Sequence, residues 1–313
     1  MQHVASLADL RLDRPAFVTI GAFDGVHRGH QALIGAMARQ AHAAGQAAVV
    51  ITFYPHPSVF LRGRRPSFYL STPEAKAEYL ADLGVDALVT HTFDAAFAAI
   101  TAGAYVDQLR QSARLRELWC GPDFALGHNR EGNVAYLQAA GARLGFQVNV
   151  QTPVLIDGEI ISSTRIRQCL RDGAVEEAAR ALGRPFRVSG EVVAGAQRGR
   201  TIGIPTANLA VSEEHALPAT GVYVGRVHGA APEPVSAVAN IGFRPTFNSA
   251  EPRLTLEAHL LDFSGDLYGR RLSLAFQARL RPEMKFPGVE ALVAQIQSDI
   301  AAARHVLAQT PNL

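Results

Sequence analysis

The chain has 313 residues, 48% of them hydrophobic and 19% charged, with 30 basic against 28 acidic side chains. This length suits two domains, and a net charge of +2 leaves no broad field to attract nucleic acid or a membrane surface. No Gly-x-x-x-x-Gly-Lys-Ser/Thr occurs, which excludes a P-loop NTPase, and Lys76 and Lys285 are the only lysines. Bound phosphates are therefore expected to be met by backbone amides, histidine, hydroxyls, arginine or metal.

In chain order, residues 16–20 form the first expected strand. Gly21-Ala22-Phe23-Asp24-Gly25-Val26-His27-Arg28-Gly29-His30 follows as a glycine-rich turn leading into a helix over 31–44. Further short strands rich in Val, Ile and Leu are expected at 47–53, 86–90, 117–120 and 148–152. Helices of Ala, Leu and Glu type are expected between them at 73–83, 103–114 and 133–144. This alternation predicts a parallel α/β sheet with helices on both faces. Such sheets bind ligands beyond the carboxyl ends of their strands, where the 21–30 turn and Thr52-Phe53-Tyr54-Pro55-His56-Pro57 both fall. Ile161-Ser162-Ser163-Thr164-Arg165-Ile166-Arg167 then puts hydroxyls at an expected helix start, with arginines behind them.

The character changes near Gly183-Arg184-Pro185-Phe186, which sets a domain boundary between residues 1–183 and 184–313. Strands are expected at 187–193, 221–228, 235–241, 253–263 and 272–279, with short antiparallel connections. Residues 288–308 read as one amphipathic helix, with Val289, Leu292, Val293 and Ile296 at helical spacing. The second half is thus expected to be a small antiparallel β-barrel closed by a C-terminal helix.

A helix start after a glycine-rich turn offers unpaired N–H groups and a positive dipole end, so the 21–30 segment suits a phosphate. Spacing of i, i+3 would turn His27 and His30 the same way if both lie in the first helical turn. A turn after a strand is also often only a turn, and Ser162 or Ser163 also reads as a plain N-cap. In the second half, Gly195, Gly199 and Gly203 suit a loop whose amides wrap phosphates. Thr206 and Asn208 share a face of an extended chain and offer oxygens to a hard cation; an ordinary turn and strand is the alternative. Glu257 alternates with core-facing Leu256 and Ala258, the pattern of a solvated strand face as much as of a base.

Residues 16–183 resemble the N-terminal module of bacterial FAD synthetases, a group of His-x-Gly-His nucleotidylyltransferases with a Rossmann-like fold. The resemblance rests on Gly21 to His30, Thr52 to Pro57, Gly121-Pro122-Asp123-Phe124 with Gly127, and Ile161 to Arg167. It implies an ATP site on Gly21, Ala22, Phe23, Asp24, Gly29 and His30, completed by Ser162, Ser163, Thr164 and Arg167. His27, His30 and Arg167 would carry the catalysis. His56 and Asp123 would lie nearer the FMN, although Pro-His-Pro reads equally as a rigid loop. Ala22 stands where the family frequently has Asn.

Residues 187–308 resemble a riboflavin kinase module. The match runs through Gly190 to Gly195, Gly199 to Asn208, Gly221 to Tyr223 and Asn240-Ile241-Gly242-Phe243-Arg244-Pro245-Thr246-Phe247. It continues through Leu256 to His259, Asp266 to Gly269 and Leu280 to Phe286. This implies ATP on Gly195, Gly199, Gly203, Thr206 and Asn208, Mg²⁺ on Thr206 and Asn208, Glu257 as the catalytic base and Arg281 beside the flavin. Ile204 replaces the usual Phe, an exchange of little consequence, and Phe243 replaces a small residue and would narrow a pocket, so flavin affinity is the property most open to change.

Together the two resemblances imply a bifunctional riboflavin kinase and FMN adenylyltransferase. ATP, riboflavin, FMN and FAD would be its substrates or products, with Mg²⁺ serving both steps. The competing expectations are one vestigial module, a flavin-binding regulatory protein, or an aminoacyl-tRNA synthetase; the last lacks a lysine-bearing second motif. Cys120 and Cys169 show no metal or disulfide spacing, and the N-terminal residues lack a signal peptide's apolar core. A cytoplasmic enzyme of small molecules is expected, with neither nucleic acid nor membrane as partner and a homo-oligomer left open.

Overall fold

The apolar runs of the first half become strands because both of their faces are covered. The computed structural model describes residues 1–63, 67–195, 199, 202–244 and 253–309. It divides into two compact units, Met1–Arg65 with Ser71–Ser163 and Pro66–Leu70 with Thr164–Leu313. The first unit begins with β1 (Gln2–Val4), β2 (Ala16–Ile20), α1 (Arg28–Ala43), β3 (Ala47–Tyr54), α2 (Pro57–Arg62), α3 (Pro73–Ala81), β4 (Ala87–Thr92) and α4 (Ala95–Ala98). It continues with α5 (Ala102–Ser112), β5 (Leu115–Cys120), β6 (Ala125–Leu126), β7 (Gly132–Asn133), α6 (Val134–Leu144), β8 (Gln147–Val150), β9 (Leu155–Ile156) and β10 (Glu159–Ile160).

Six of these strands form one sheet in the order β1-β4-β3-β2-β5-β8, parallel throughout. Alternate side chains go to opposite faces. Val18, Ile20, Val49 and Ile51 pack with Tyr105 and Leu109 of α5 and Leu137 of α6. Phe17, Ala48, Val50 and Leu88 pack with Ile34 and Met37 of α1 and Leu80 of α3. Each large aliphatic side chain buried this way contributes roughly 1.5–3 kcal/mol, and the doubly covered sheet explains why β2 and most of β3 are apolar, with Thr19 and Thr52 as buried exceptions. From β2 the chain steps outward to β3 and β4, then β5 returns on the other side of β2. The carboxyl ends of β2 and β5 therefore flank the point where the winding reverses, the usual ligand crevice of such sheets.

In the second unit α7 (Ser163–Asp172) and α8 (Val175–Leu182) precede β11 (Phe186–Val193), β12 (Ala207–Ala210), β13 (Gly221–His228), β14 (Val235–Arg244), β15 (Arg253–Leu260), β16 (Arg271–Arg281) and α9 (Val289–Gln309). The strands close into an antiparallel barrel in the order β11-β12-β15-β14-β13-β16. Tyr223 packs edge-on against Phe276 at 5.4 Å, while its neighbours Val222 and Val224 pack with Ala303 and Leu307 of α9. β13 is thus buried on both faces, which accounts for its unbroken apolar run. Residues 67–70 hydrogen-bond to residues 213–216, so a short segment of the N-terminal half is built into this unit.

The parallel sheet, the small barrel and its closing helix agree with expectation. The differences are short elements. β1 has three residues, the barrel has six strands rather than five because β12 has only four residues, and α2 and α4 have six and four. Such lengths hold too few residues for periodicity to register. Of the motifs read in sequence, Arg200, Thr201, Pro245, Thr246 and Phe247 lie outside the described residues.

Candidate functional site

In the first unit the glycine-rich turn begins directly after β2 and is bent by an unusual backbone. Phe23 (φ 45°), Gly25 (φ 77°) and Val26 (φ 40°) all adopt the left-handed region. For β-branched Val26 this is a strained conformation, of order 1–3 kcal/mol, of the kind that persists where surrounding contacts over-determine it. Those contacts are visible. Gly25 N donates to Ser71 Oγ at 3.1 Å, and Ser71 N donates to the buried Asp24 carboxylate at 3.3 Å. Ser163, the last residue of this unit, donates through Oγ to the Asp24 carbonyl at 2.9 Å.

His27 is the N-cap of α1, and its Nδ1 accepts the His30 amide at 3.3 Å. In the neutral ring the proton then sits on Nε2. The two imidazoles stack, with centroids 3.6 Å apart and planes inclined by 20°. The expected shared direction is therefore realised, with His27 as the cap and His30 in the first turn. A Cβ on Gly29 would lie 3.1–3.2 Å from the His27 ring, and one on Gly21 about 2.9 Å from Phe23. Glycine at these positions lets the imidazole and the phenyl ring close in. His30 Nδ1 is buried without a hydrogen-bond partner, and the ring meets Phe23 edge-on at 5.1 Å. Burial, then His27, then Lys76 hold the His30 pKa well below the usual histidine value.

Lys76 is one of the two lysines in the chain and lies in none of the expected phosphate-binding segments. It is buried beneath this turn, donating to the Ala22 carbonyl at 2.7 Å and to Thr52 Oγ1 at 3.3 Å. Thr52 in turn donates to the same carbonyl at 3.0 Å. No local pattern marks Lys76, because it reaches the turn across 54 residues of sequence.

His56 caps α2, accepting from Ser58 N at 3.0 Å, which gives the Pro-His-Pro segment a structural task. Asp123 is exposed on the turn after β5, and its carbonyl accepts Arg130 Nη2 at 2.8 Å. Ser162 is partly buried, and Thr164 is exposed. Arg167 belongs to the second unit, where its Nε donates to the Phe68 carbonyl at 2.6 Å and its guanidinium lies 4.0 Å over the Phe68 ring. Beyond the carboxyl ends of β3 and β4, Phe53, Phe60, Phe93 and Phe97 form an aromatic cluster with centroid separations of 5.3–5.7 Å. Sequence reasoning missed it, since its members come from four separate segments.

In the barrel, Glu257 stands directly opposite Asn208 on one side and Asn240 on the other. Directly opposed residues share a face, so Asn208, Glu257 and Asn240 make one polar row across β12, β15 and β14. Thr206 Oγ1 donates to Glu257 Oε2 at 3.3 Å, and the Pro205 carbonyl accepts His259 Nδ1 at 2.8 Å. Cβ atoms on Gly195 and Gly199 would collide with the Asn208 amide and the Ile204 carbonyl; Gly203 instead adopts φ 77°. Gly195 thus packs against Asn208, and Gly199 against the Ile204 carbonyl. Asn240 lies at the start of the Asn240–Phe247 motif, and it joins the row only once β14 pairs with β15.

Arg281 is engaged elsewhere. Its Nε and Nη2 grip both carboxylate oxygens of buried Asp299 on α9 at 2.8–3.1 Å, and its guanidinium lies 5.7 Å from the Phe286 ring. Phe243 is 58% exposed and Ile204 is buried.

Family models cover both halves: FAD synthetase matches residues 10–165 and riboflavin kinase matches residues 182–307. A bifunctional riboflavin kinase/FMN adenylyltransferase of Escherichia coli (strain K12) is 40% identical over 295 residues, spanning 94% of this chain and 93% of its own. This chain belongs to the bifunctional riboflavin kinase/FMN adenylyltransferase family. The family member of Pseudomonas fluorescens is 38% identical over the full length of both chains. That of Bacillus subtilis (strain 168) is 34% identical, spanning 90% of this chain. A crystal structure from Streptococcus pneumoniae, described as a macrolide-efflux protein, superposes with a TM-score of 0.88 at 31% identity, covering 96% of this chain and 98% of its own. Among the described residues here, no helix is long and apolar enough to cross a membrane.

Proposed function

We propose that this protein phosphorylates riboflavin to FMN in its barrel and adenylylates FMN to FAD in its parallel-sheet unit, using one ATP for each step. The observation that carries the reading is the pairing of two complete sets of groups in one chain: the stacked His27 and His30 at a helix start, and Glu257 between Thr206, Asn208 and Asn240. By function we divide the chain into residues 1–183 and 184–313, which keeps Ser163 and Arg167 with the first reaction.

In the barrel, Glu257 accepts the proton of the ribityl hydroxyl as that oxygen bonds to the γ-phosphorus and ADP departs. Thr206, donating to Oε2, orients the carboxylate so that its other oxygen faces the substrate. The hydroxyl oxygen of Thr206 and the amide oxygen of Asn208 are hard donors suited to Mg²⁺, and Gly195 packs directly against the Asn208 side chain. When bound, Mg²⁺ neutralises phosphate charge. The amides around Gly195, Gly199 and Gly203 hold the nucleotide phosphates.

In the first unit an FMN phosphate oxygen bonds to the α-phosphorus of ATP and pyrophosphate leaves. No covalent intermediate with the protein is required, so positioning and charge stabilisation do the catalysis. The start of α1 and the Nε2 protons of His27 and His30 face the polyphosphate, with Gly21 to Asp24 and Gly29 shaping the turn beneath the nucleotide. Ser162, Ser163, Thr164 and Arg167 complete that site, and Asp123 and His56 border the FMN. The flavin ring lies against the Phe53, Phe60, Phe93 and Phe97 cluster, which supplies aromatic faces. Arg281 supports the kinase flavin site indirectly, by anchoring α9. Both described cysteines are free and buried, in keeping with a cytoplasmic setting.

The test is chromatography of the flavins formed from riboflavin, ATP and Mg²⁺ over time. FMN rising first and FAD following is expected. FMN accumulating without FAD would remove the adenylyltransferase from the reading, and no turnover would leave a flavin-binding protein.

A further inference from the structure

An ammonium group shut away from water and held against a carbonyl is unusual enough to demand a purpose. Burial lowers the Lys76 pKa, and nearby Asp24 partly restores it. Neither hydrogen bond of Lys76 is to a carboxylate: they go to the Ala22 carbonyl and the Thr52 hydroxyl. Ala22 opens the strained segment that carries Phe23, Gly25 and Val26, all at positive φ. A lysine serving only to fill the core would be replaced at lower cost by an apolar side chain, since a buried charge carries a large desolvation penalty.

We propose that Lys76 is a positioning residue of the adenylyltransferase site, clamping the Ala22 carbonyl so that the turn's outer face and His30 meet the ATP phosphates. This rests on the adenylyltransferase reading above. Two consequences follow from the geometry. The clamp gives the turn one conformation, in which its carbonyl points inward, away from phosphate. The charge also places a fixed positive group behind His30, favouring a neutral imidazole whose Nε2 donates. The titratable groups facing His30 are His27 on its own helix and Lys76 on α3, with Asp24 beside the lysine.

The experiment uses the full-length protein with Lys76→Met, Lys76→Gln and Thr52→Val. Each is assayed for FMN-to-FAD conversion and for riboflavin-to-FMN conversion. His30 is titrated by NMR, assigned by its loss in His30→Gln. For Lys76→Met the FAD-forming kcat should fall about 100-fold, as for a misplaced catalytic group, with a smaller change in KM for ATP. The His30 pKa should rise towards the ordinary value, and FMN formation should be unchanged. Lys76→Gln should restore part of kcat by rebuilding the hydrogen bond, while His30 still titrates higher. Thr52→Val should lower kcat with little change in His30 titration.

Wild-type protein that forms no FAD would refute the underlying reading. Wild-type protein that forms FAD, with variants whose kcat and His30 titration match it, would overturn the role of Lys76. Should Lys76→Met fail to fold, Thr52→Val with full FAD-forming kcat would overturn the clamp on its own.

Discussion

At the scale of single residues, the two reactions separate cleanly. Glu257→Ala should lower riboflavin phosphorylation by roughly 10²–10⁴-fold, the usual contribution of a positioned base. The same variant supplied with FMN should still form FAD, which chromatography of the two conversions will show. Gly29→Ala places a methyl group 3.1–3.2 Å from the His27 ring. It should push the imidazole off its stacked position and reduce FAD formation while leaving FMN formation intact, as initial rates of the two steps will test. Buried His215 belongs to the barrel unit, where burial pushes its pKa down to about 4. Its unfolded form takes up a proton from about pH 6.5 downward while the folded form does not, so stability present above that pH is lost as pH falls. The loss between pH 6.5 and 4 is on the order of 3 kcal/mol. Urea titrations across this range should show a shallower slope for His215→Phe than for wild type.

At the scale of elements, α9 combines apolar packing with one buried ion pair. Its apolar side chains, among them Ala303 and Leu307, pack on Val222, Val224 and Val238 of the barrel. Its fixed point is the Arg281–Asp299 pair, with side chains 15% and 5% exposed. Removing one partner of a buried pair leaves an uncompensated charge, at about 3–5 kcal/mol. Asp299→Ala should therefore lower the thermal midpoint markedly, whereas Asp262→Ala, which breaks an exposed ion pair with Arg304 on the same helix, should change it little. Differential scanning calorimetry of the two variants distinguishes a buried anchor from a solvated pair.

For the whole molecule, two folds contribute two separate chemistries in one chain. If hard-oxygen coordination by Thr206 and Asn208 underlies the kinase step, chelation by EDTA should stop FMN formation, and added Mg²⁺ should restore it. Glu257→Ala protein mixed with His30→Gln protein should make FAD from riboflavin, since one variant supplies FMN and the other adenylylates it. Flavin chromatography of the mixture, against each variant alone, measures that complementation.

Much of this was legible in residue order. Short doubly buried strands, glycine-rich turns and helix starts are local features, so the parallel sheet, the barrel and the segments Gly21–His30 and Gly195–Asn208 could be read without coordinates. Polar alternation around Glu257 was equally local. What the tertiary structure alone decided were the partners. Lys76 reaches the Ala22 carbonyl from α3, Ser163 reaches Asp24, Asn240 joins Glu257 through strand pairing, and Arg281 turns to Asp299. Each of these depends on which distant segments the fold brings together, and for Lys76, Ser163 and Arg281 on closing to about 3 Å, the range over which a hydrogen bond acts. Periodicity along the chain carries no record of that distance.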